Sequence, residues 1–234
     1  MIKKAVLLDL DNTLYEYEPA HNSALKATYN ILKKELGIPL EKFLKLYALS
    51  QAEIHRELAG TAAAHHRVLY FQRLIEKTHN TIEPEIILKL YNTYWSTFLK
   101  NMKLRGGVLG TLKELKKKGL KIAIVSDLTT DIQLRKMNKL KITPYIDVLV
   151  TSEEAGSEKP HPMMFLLTLN KLKILPGDAI MMGDDVIRDI EGANAVGIDS
   201  ILLKGKESHL FSEDYKKPNY VIKNIPEILE ILKK

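Results

Sequence analysis

Apolar residues are spaced in two different ways along the 234-residue chain. After residue 107, short apolar runs typical of buried strands alternate with segments whose apolar residues recur at helical spacing. The predicted strands of this region are 121–125, 148–151, 179–182, 200–203 and 220–222. The predicted helices are 108–118, 130–140, 161–172, 187–195 and 225–232. This alternation predicts a parallel, doubly wound α/β sheet with right-handed crossovers.

A first strand at 2–9 is separated from these partners by a block with helical spacing throughout. Helices are predicted at 20–36, 40–58, 62–78 and 84–101, after a polar, irregular stretch at 10–19. The expected architecture is a Rossmann-like doubly wound core, residues 1–14 and 105–234, with an inserted all-α helical-bundle cap, residues 15–104. Such an insertion lies above the carboxyl ends of the strands, where open α/β sheets bind ligands.

Composition removes several classes of protein from consideration. Hydrophobic residues make up 45% of the chain, enough to bury a sizeable core. There is no cysteine, which excludes disulfides, thiolate catalysis and cysteine-ligated zinc. No apolar run approaches the length of a membrane span, and the first run meets Asp9 too soon for a signal peptide. We therefore expect a cytoplasmic protein with no membrane partner.

The chain is basic, with a formal net charge of +6 and a pI of about 9.2. A basic face for nucleic acid is one interpretation. The lysines are spread along the chain, however, with short local groups such as 116–118 and no known nucleic-acid motif. The pattern favours a solvated, lysine-rich surface on a protein that meets small anions, with no nucleic-acid partner.

Acidic residues follow the first predicted strand at once. Asp9 stands where the strand ends, and Asp11 lies two residues further on. Two carboxylates in apolar surroundings repel each other and lose hydration, so they need compensation. A divalent cation would supply it, because hard cations take carboxylate and backbone oxygens. The alternative is a strand followed by an Asx-type turn, which Asp, Asn and Thr also favour.

Polar residues follow the other predicted strands as well. Ser126 closes the strand at 121–125, Lys159 lies on the loop after 148–151, and Asp184 with Asp185 follows 179–182. The carboxyl ends of parallel strands meet along one edge of a sheet, so these residues are expected to converge with Asp9 and Asp11.

This set of residues resembles the motifs of the haloacid dehalogenase superfamily of phosphotransferases. The first motif is matched by Asp9-Leu10-Asp11-Asn12-Thr13 and the second by Ser126. The third, a Lys-Pro-x-Pro form, is matched by Lys159-Pro160-His161-Pro162, and the acidic fourth by Gly183-Asp184-Asp185 with Asp189. The resemblance covers residues 1–14 and about 105–205, and it implies a mobile helical cap in the position of the inserted block.

The resemblance also implies a mechanism. Asp9 would be the nucleophile that forms an aspartyl-phosphate, and Asp11 would protonate the leaving oxygen and then activate water. A Mg²⁺ cofactor would bind Asp9, the backbone carbonyl of Asp11, and Asp184. Ser126 would hydrogen-bond a phosphoryl oxygen, with Asp127 beside it in the substrate site, and Lys159 would pair with the nucleophile and the phosphoryl charge.

Three further residues are expected to support this site. They are Thr13, Asp185 and Asp189. One of the two aspartates would support the metal waters or orient Lys159. For Asp189 the sequence also allows a simpler role, a charge placed near a helix N-terminus.

The expected function is a Mg²⁺-dependent phosphatase acting on a small phosphorylated metabolite. A phosphomutase shares the four motifs and stays an alternative. A 2-haloacid dehalogenase generally lacks the carboxylate found here at Asp11. A non-catalytic regulator would have lost part of the acidic set, which is present here. The sequence leaves the substrate open among sugar phosphates, glyceraldehyde 3-phosphate, phosphoglycolate and nucleoside monophosphates. It also leaves open a monomer or a homodimer.

Two groups in the predicted cap stand out. His65-His66-Arg67 could contact a substrate, but the pattern favours an exposed helical face. The aromatic side chains of Tyr91, Tyr94, Trp95 and Phe98 recur at helical spacing, which favours packing rather than base stacking. We expect the cap to gate the site and to select the substrate.

Overall fold

The computed structural model describes residues 3–203 and 217–233. The chain divides into two compact units. One comprises Met1–Glu16 with Lys103–Lys234 and is called here the core unit. The other, Tyr17–Met102, is called the cap unit.

Long helices build the cap unit. They are α1 (Tyr17–Leu36), α2 (Leu40–Glu57), α3 (Arg67–His79) and α4 (Pro84–Asn101). Helix α1 begins within the stretch predicted to be irregular, because Pro19 falls in its first turn, where a missing N–H costs no hydrogen bond. The centre of the unit is aromatic, with Phe43, Tyr70, Phe71, Tyr94 and Phe98 fully buried.

The helix predicted at 62–78 is interrupted. Ala62–His65 forms a 3₁₀ turn, and His66 has extended backbone before α3 begins. The His66 imidazole accepts a hydrogen bond from the Val68 N–H at 3.3 Å and so caps α3. The prediction of an exposed face for His65-His66-Arg67 was wrong, because this break turns Arg67 inward to 6% exposure.

The core unit contains a parallel sheet of six strands in the order β3-β2-β1-β4-β5-β6. The strands are β1 (Ala5–Leu8), β2 (Lys121–Ser126), β3 (Val148–Thr151), β4 (Ala179–Gly183), β5 (Asp199–Leu203) and β6 (Tyr220–Ile222). Strand β1 is buried along its whole length and pairs with β2 on one side and β4 on the other. The predicted Rossmann-like parallel sheet is confirmed.

Helices accompany the strands of the core unit. They are α5 (Val108–Lys117), α6 (Thr130–Leu140), α7 (Ser152–Ala155), α8 (Pro162–Leu172), α9 (Gly192–Ala195) and α10 (Ile228–Ile231). One hydrophobic cluster joins α8 to the sheet, with Phe165 and Met164 against Leu7, Val125 and Met181. The short helix α7 is absent from the sequence prediction.

The helix predicted at 187–195 has a different form. It begins as a π-helical turn, Val186–Glu191, in which the Ile190 N–H reaches the Asp185 carbonyl five residues back. Such wide turns occur often at functional sites. Gly183 is required beside this turn, because a Cβ there would overlap the Asp189 side chain. The closing helix is likewise shorter than predicted, since Ile225–Glu227 is a 3₁₀ turn.

Within the described ranges, no helix combines the length and the apolar character needed to cross a membrane. The cytoplasmic location stays a prediction from the sequence.

Substituting Gly192 should destabilise the core unit. An added Cβ would lie 2.6 Å from Phe165 Cε2 and 3.1 Å from Pro160 Cα. Gly192→Ala should therefore lower the free energy of unfolding by about 1–3 kcal/mol, measured by urea denaturation. The matched control is Gly110→Ala in α5, where no atom lies within 4 Å of the new methyl group. That change should be neutral or stabilise by up to about 1 kcal/mol. Equal effects of the two substitutions would contradict the packing account.

Candidate active site

The site begins at the ends of two neighbouring strands. Leu8, the last residue of β1, lies opposite Met182 of β4, so Asp9 and Asp184 follow at the same edge of the sheet. The strand order reverses beside β1, and such a switch point is where open α/β sheets bind ligands. The Asp9 N–H donates to the Met182 carbonyl at 3.0 Å, which ties the start of the loop to β4.

A buried lysine connects two of the carboxylates. Lys159 Nζ donates to Asp9 Oδ1 and to Asp189 Oδ1, both at 2.7 Å. All three side chains are nearly inaccessible, at 3% for Lys159, 7% for Asp9 and 1% for Asp189. Burial by itself would lower the pKa of Lys159, but the charges of Asp189 and Asp9 outweigh it and hold that pKa well above its usual range. Lys159 is therefore a fixed positive charge beside Asp9.

The carboxylates of Asp9, Asp184 and Asp189 form an acidic cluster. One oxygen from each lies within 4.8 Å of the others. When all three are ionised, their charge exceeds that of Lys159 by two. Burial and the charge of neighbouring carboxylates raise the pKa of Asp9 to about 7 against the opposing effect of Lys159. Burial and the charge of Asp9 likewise raise the pKa of Asp184 to about 6.

The raised pKa values mean that the positive charge near Asp9 and Asp184 does not offset the cost of burying both carboxylates in their ionised forms. Hard oxygen donors with excess negative charge are the donor set that Mg²⁺ and Ca²⁺ take. The residues present therefore fit a divalent cation.

The Asp11 carboxylate faces another set of partners. Lys136 Nζ donates to its two oxygens at 2.6 and 2.8 Å, and Gln133 Nε2 donates to Oδ2 at 3.0 Å. The Tyr15 hydroxyl donates to Oδ1. Burial would raise the pKa of Asp11, but Lys136 and these hydrogen bonds outweigh it and lower that pKa below its usual value. Asp11 and Asp9 thus differ in electrostatic environment although two residues separate them.

Ser126 and Asp127 lie at the end of β2. Gln133 Nε2 lies 2.8 Å from Ser126 Oγ and 2.7 Å from the Asp127 carbonyl, so its two N–H groups are shared between these acceptors and Asp11 and connect all three residues. The Asp127 carboxylate accepts from the Lys159 N–H at 2.9 Å. Burial raises the pKa of Asp127, although Lys159 and Arg188 oppose this.

The three supporting residues have different contacts. Thr13 Oγ1 donates to Asp184 Oδ1 at 3.0 Å and so orients that carboxylate. Asp189 accepts from Lys159 and also from the Asp185 N–H at 3.0 Å. The Asp185 carboxylate accepts from the N–H groups of Ile187 and Arg188 at 2.9 Å and caps the π-helical turn. Of the two aspartates, Asp189 is the one in contact with Lys159.

Sequence reasoning missed Gln133, Lys136 and Tyr15. Gln133 and Lys136 are spaced by three residues on α6 and both are buried. The same helix buries Ile132, Met137 and Leu140, so the two polar residues fall within its apolar stripe. A lysine inside an apolar stripe indicates a buried charge, and this helix follows the strand that carries Ser126. The sequence therefore contained a signal that Lys136 lies near the site.

Comparison with known proteins agrees with this geometry. A family model described as haloacid dehalogenase-like hydrolase matches residues 6–203. A ribulose-1,5-bisphosphate 5-phosphatase from Halopiger xanaduensis is 44% identical over 205 residues, which are 87% of this chain and 85% of the relative. A glyceraldehyde 3-phosphate phosphatase from Methanocaldococcus jannaschii is 28% identical over an alignment that covers 98% of this chain and 97% of the relative.

Solved structures share the fold. A phosphatase from Thermococcus onnurineus matches with a TM-score of 0.76 at 25% identity, over 98% of this chain and 97% of the other. A 2-haloacid dehalogenase from Pseudomonas syringae pv. tomato matches with a TM-score of 0.75 at 24% identity, over 100% of this chain and 99% of the other, and at that identity the likeness concerns the fold alone. The chain belongs to the haloacid dehalogenase-like hydrolase family and is a phosphatase.

Proposed function

We propose that this phosphatase depends on Mg²⁺, acts on a small phosphorylated metabolite and uses Asp9 as its nucleophile. The observation that carries the proposal is the position of the Asp9 carboxylate, which follows strand β1, contacts Lys159 and belongs to the acidic cluster with Asp184 and Asp189. Lys159 holds one Asp9 oxygen by a hydrogen bond at 2.7 Å. The other oxygen is then the atom that attacks phosphorus.

The reaction has two steps in this proposal. In the first, a bond forms between an Asp9 oxygen and phosphorus while the bond from phosphorus to the ester oxygen breaks, and the leaving oxygen takes a proton from Asp11. In the second, Asp11 takes a proton from water, whose oxygen attacks the aspartyl-phosphate and releases phosphate and free Asp9. Ser126 donates a hydrogen bond to a phosphoryl oxygen, and Lys159 balances phosphoryl charge.

The metal would be held by Asp9, Asp184 and the backbone carbonyl of Asp11. When bound, Mg²⁺ would neutralise charge that develops on the transferred phosphoryl group. Thr13 keeps the Asp184 carboxylate oriented, and Asp189 keeps Lys159 directed at Asp9. The excess negative charge of the cluster supports this assignment.

Lys136 and Gln133 are positioning residues for Asp11 in this mechanism. Together they hold both of its oxygens, which selects one orientation of the carboxylate. Lys136 stabilises the ionised form of Asp11, so it favours transfer of the Asp11 proton to the leaving oxygen in the first step. The ionised Asp11 that results accepts the proton from water in the second step, and this restores the protonated form for the next turnover.

The relatives suggest which substrates to test first. We propose ribulose 1,5-bisphosphate as the first candidate, because the relative named for it is 44% identical to this chain. Glyceraldehyde 3-phosphate is the second, from a relative at 28% identity. We also propose that the cap unit selects the substrate.

Asp9→Asn should abolish turnover. The amide keeps the shape of the side chain but removes the nucleophilic charge, so kcat should fall by at least about 10³-fold. Phosphate release is measured with ribulose 1,5-bisphosphate and with an aryl phosphate in the presence of Mg²⁺. The same measurement in excess chelator tests the metal, and wild-type activity should be lost there. The matched control is Asp131→Asn, a surface position whose side chain is 59% exposed. Retained activity in folded Asp9→Asn would reject Asp9 as nucleophile, and equal rates with and without chelator would reject the metal.

Lys136→Met should slow the reaction through misplacement of Asp11. We expect kcat to fall by about 10- to 100-fold with a smaller change in KM, because loss of orientation affects the transition state more than binding. Lys136→Arg keeps a cation and should recover part of the loss. Lys139→Met, on the exposed face of the same helix, is the control. A normal kcat in Lys136→Met would show that Asp11 needs no partner at this position.

A further inference from the structure

A buried arginine lies at the centre of the cap unit. Arg67 is the first residue of α3 and is 6% exposed. Its guanidinium carbon lies 5.0 Å from the ring centre of Tyr70, 5.5 Å from that of Tyr94 and 5.9 Å from that of Trp95. One terminal nitrogen donates to the His65 carbonyl at 2.7 Å, and the other donates to the Tyr17 hydroxyl. This side chain is a cation enclosed by aromatic rings.

The charge of Arg67 has no carboxylate counter-ion in residues 3–203 and 217–233 within 4.0 Å. The ionisable groups that act on it most strongly are tyrosines, with Tyr17 and Tyr94 foremost. The neighbouring imidazole adds no charge, because burial and the charge of Arg67 lower the pKa of His21 to about 4. A buried ion without a counter-ion is costly, and contact with aromatic rings offsets only part of that cost.

Three buried hydrogen-bond donors of the cap unit have no acceptor among the described residues, and one of them belongs to Arg67 itself. Arg67 Nε is buried and has no acceptor in the described part of the chain, and the same holds for the Tyr47 hydroxyl and for Ser50 Oγ. The Tyr47 ring is centred 6.0 Å from that of Tyr70, which itself lies against Arg67. Ser50 follows Tyr47 by one helical turn on the buried face of α2. Buried donors are normally satisfied, so this set indicates a missing acceptor.

The missing partner has a defined chemistry. It must carry negative charge to balance Arg67 and several acceptor oxygens to receive the N–H and O–H groups. Phosphate and carboxylate meet both conditions, and guanidinium binds either with two parallel hydrogen bonds. The position of Arg67 at the N-terminus of a 13-residue helix adds a further favourable field for an anion.

We propose that Arg67, Tyr47 and Ser50 form an oxyanion-binding site inside the cap unit. Its ligand is a phosphate or carboxylate group, either carried by the substrate in addition to the phosphate that is hydrolysed, or free in solution. The first source rests on the proposed function and restricts the substrate to bisphosphates and phosphorylated acids. The second does not depend on that function.

The first arm of the test compares a matched pair of substrates, ribulose 1,5-bisphosphate and ribulose 5-phosphate. The quantity is the ratio of kcat/KM for the bisphosphate to that for the monophosphate. Tyr47→Phe should lower this ratio by about 10-fold through KM, because one hydrogen bond to a charged group is lost. Ser50→Ala should act in the same direction, and Arg67→Lys should lower the ratio by more than about 10-fold, because the forked donor set is lost. The control is Arg73→Met, on the same helix but in an exposed ion pair with Glu57.

The second arm measures inorganic phosphate binding by calorimetry. The sample is the full-length protein with Asp9→Asn, measured in excess chelator. Because this measurement needs no turnover, it tests the oxyanion site even if the proposed function is wrong. Tyr47→Phe in this background should weaken phosphate binding by about 10-fold.

Both arms distinguish the oxyanion site from a structural role for the arginine. Tyr47→Phe and Ser50→Ala remove hydroxyls that have no partner among the described residues, so these variants should fold normally even if Arg67→Lys does not. A lower substrate ratio supports an oxyanion carried by the substrate. Weakened phosphate binding with an unchanged ratio supports a free anion. If Tyr47→Phe changes neither quantity, the oxyanion site is rejected.

Discussion

The buried contact of Lys159 with Asp9 and Asp189 is the interaction on which the rest of the site depends. It places a permanent positive charge against the proposed nucleophile, and burial keeps water from weakening that contact. Lys159 balances only one of the three carboxylate charges of the acidic cluster. Burial, together with the charge that remains, raises the pKa of Asp9 and Asp184 and creates the demand for a divalent cation. Orientation of the nucleophile and affinity for metal therefore both depend on this buried set of charges.

The fold provides the positions that this interaction needs. Strand β1 is the buried centre of the sheet, so the residue that follows it enters a space already flanked by β2 and β4. The π-helical turn after β4 brings Asp189 back towards Lys159, and Gly183 leaves room for it. Helix α6 contributes Lys136 on the other side and gives Asp11 a separate counter-ion. Two neighbouring carboxylates can then perform different tasks.

Much of this was predictable from the sequence, because the strands are short apolar runs and their ends carry the polar residues. The bounds of β3 and β6 and the positions of Asp9 and Asp184 follow from that local pattern. Other features depend on contacts between distant segments. Arg67 looks exposed in the sequence, since local periodicity cannot show which neighbours enclose a side chain. The position of Lys136 in the apolar stripe of α6 indicates burial, but the sequence does not show that Asp11 is its partner.

The most direct test of the central claim is the shift in melting temperature caused by Mg²⁺, measured at pH 5 and pH 8 for wild type and Asp184→Asn. Protons compete with metal for Asp9 and Asp184, whose pKa values are raised to about 7 and about 6. These raised values also mean that, without metal, both carboxyls favour the folded state at low pH and lose that contribution as pH rises through about 6 to 7. Mg²⁺ should therefore stabilise wild type more at pH 8 than at pH 5, and should stabilise Asp184→Asn far less. An equal shift in both proteins, or none at pH 8, would contradict the account.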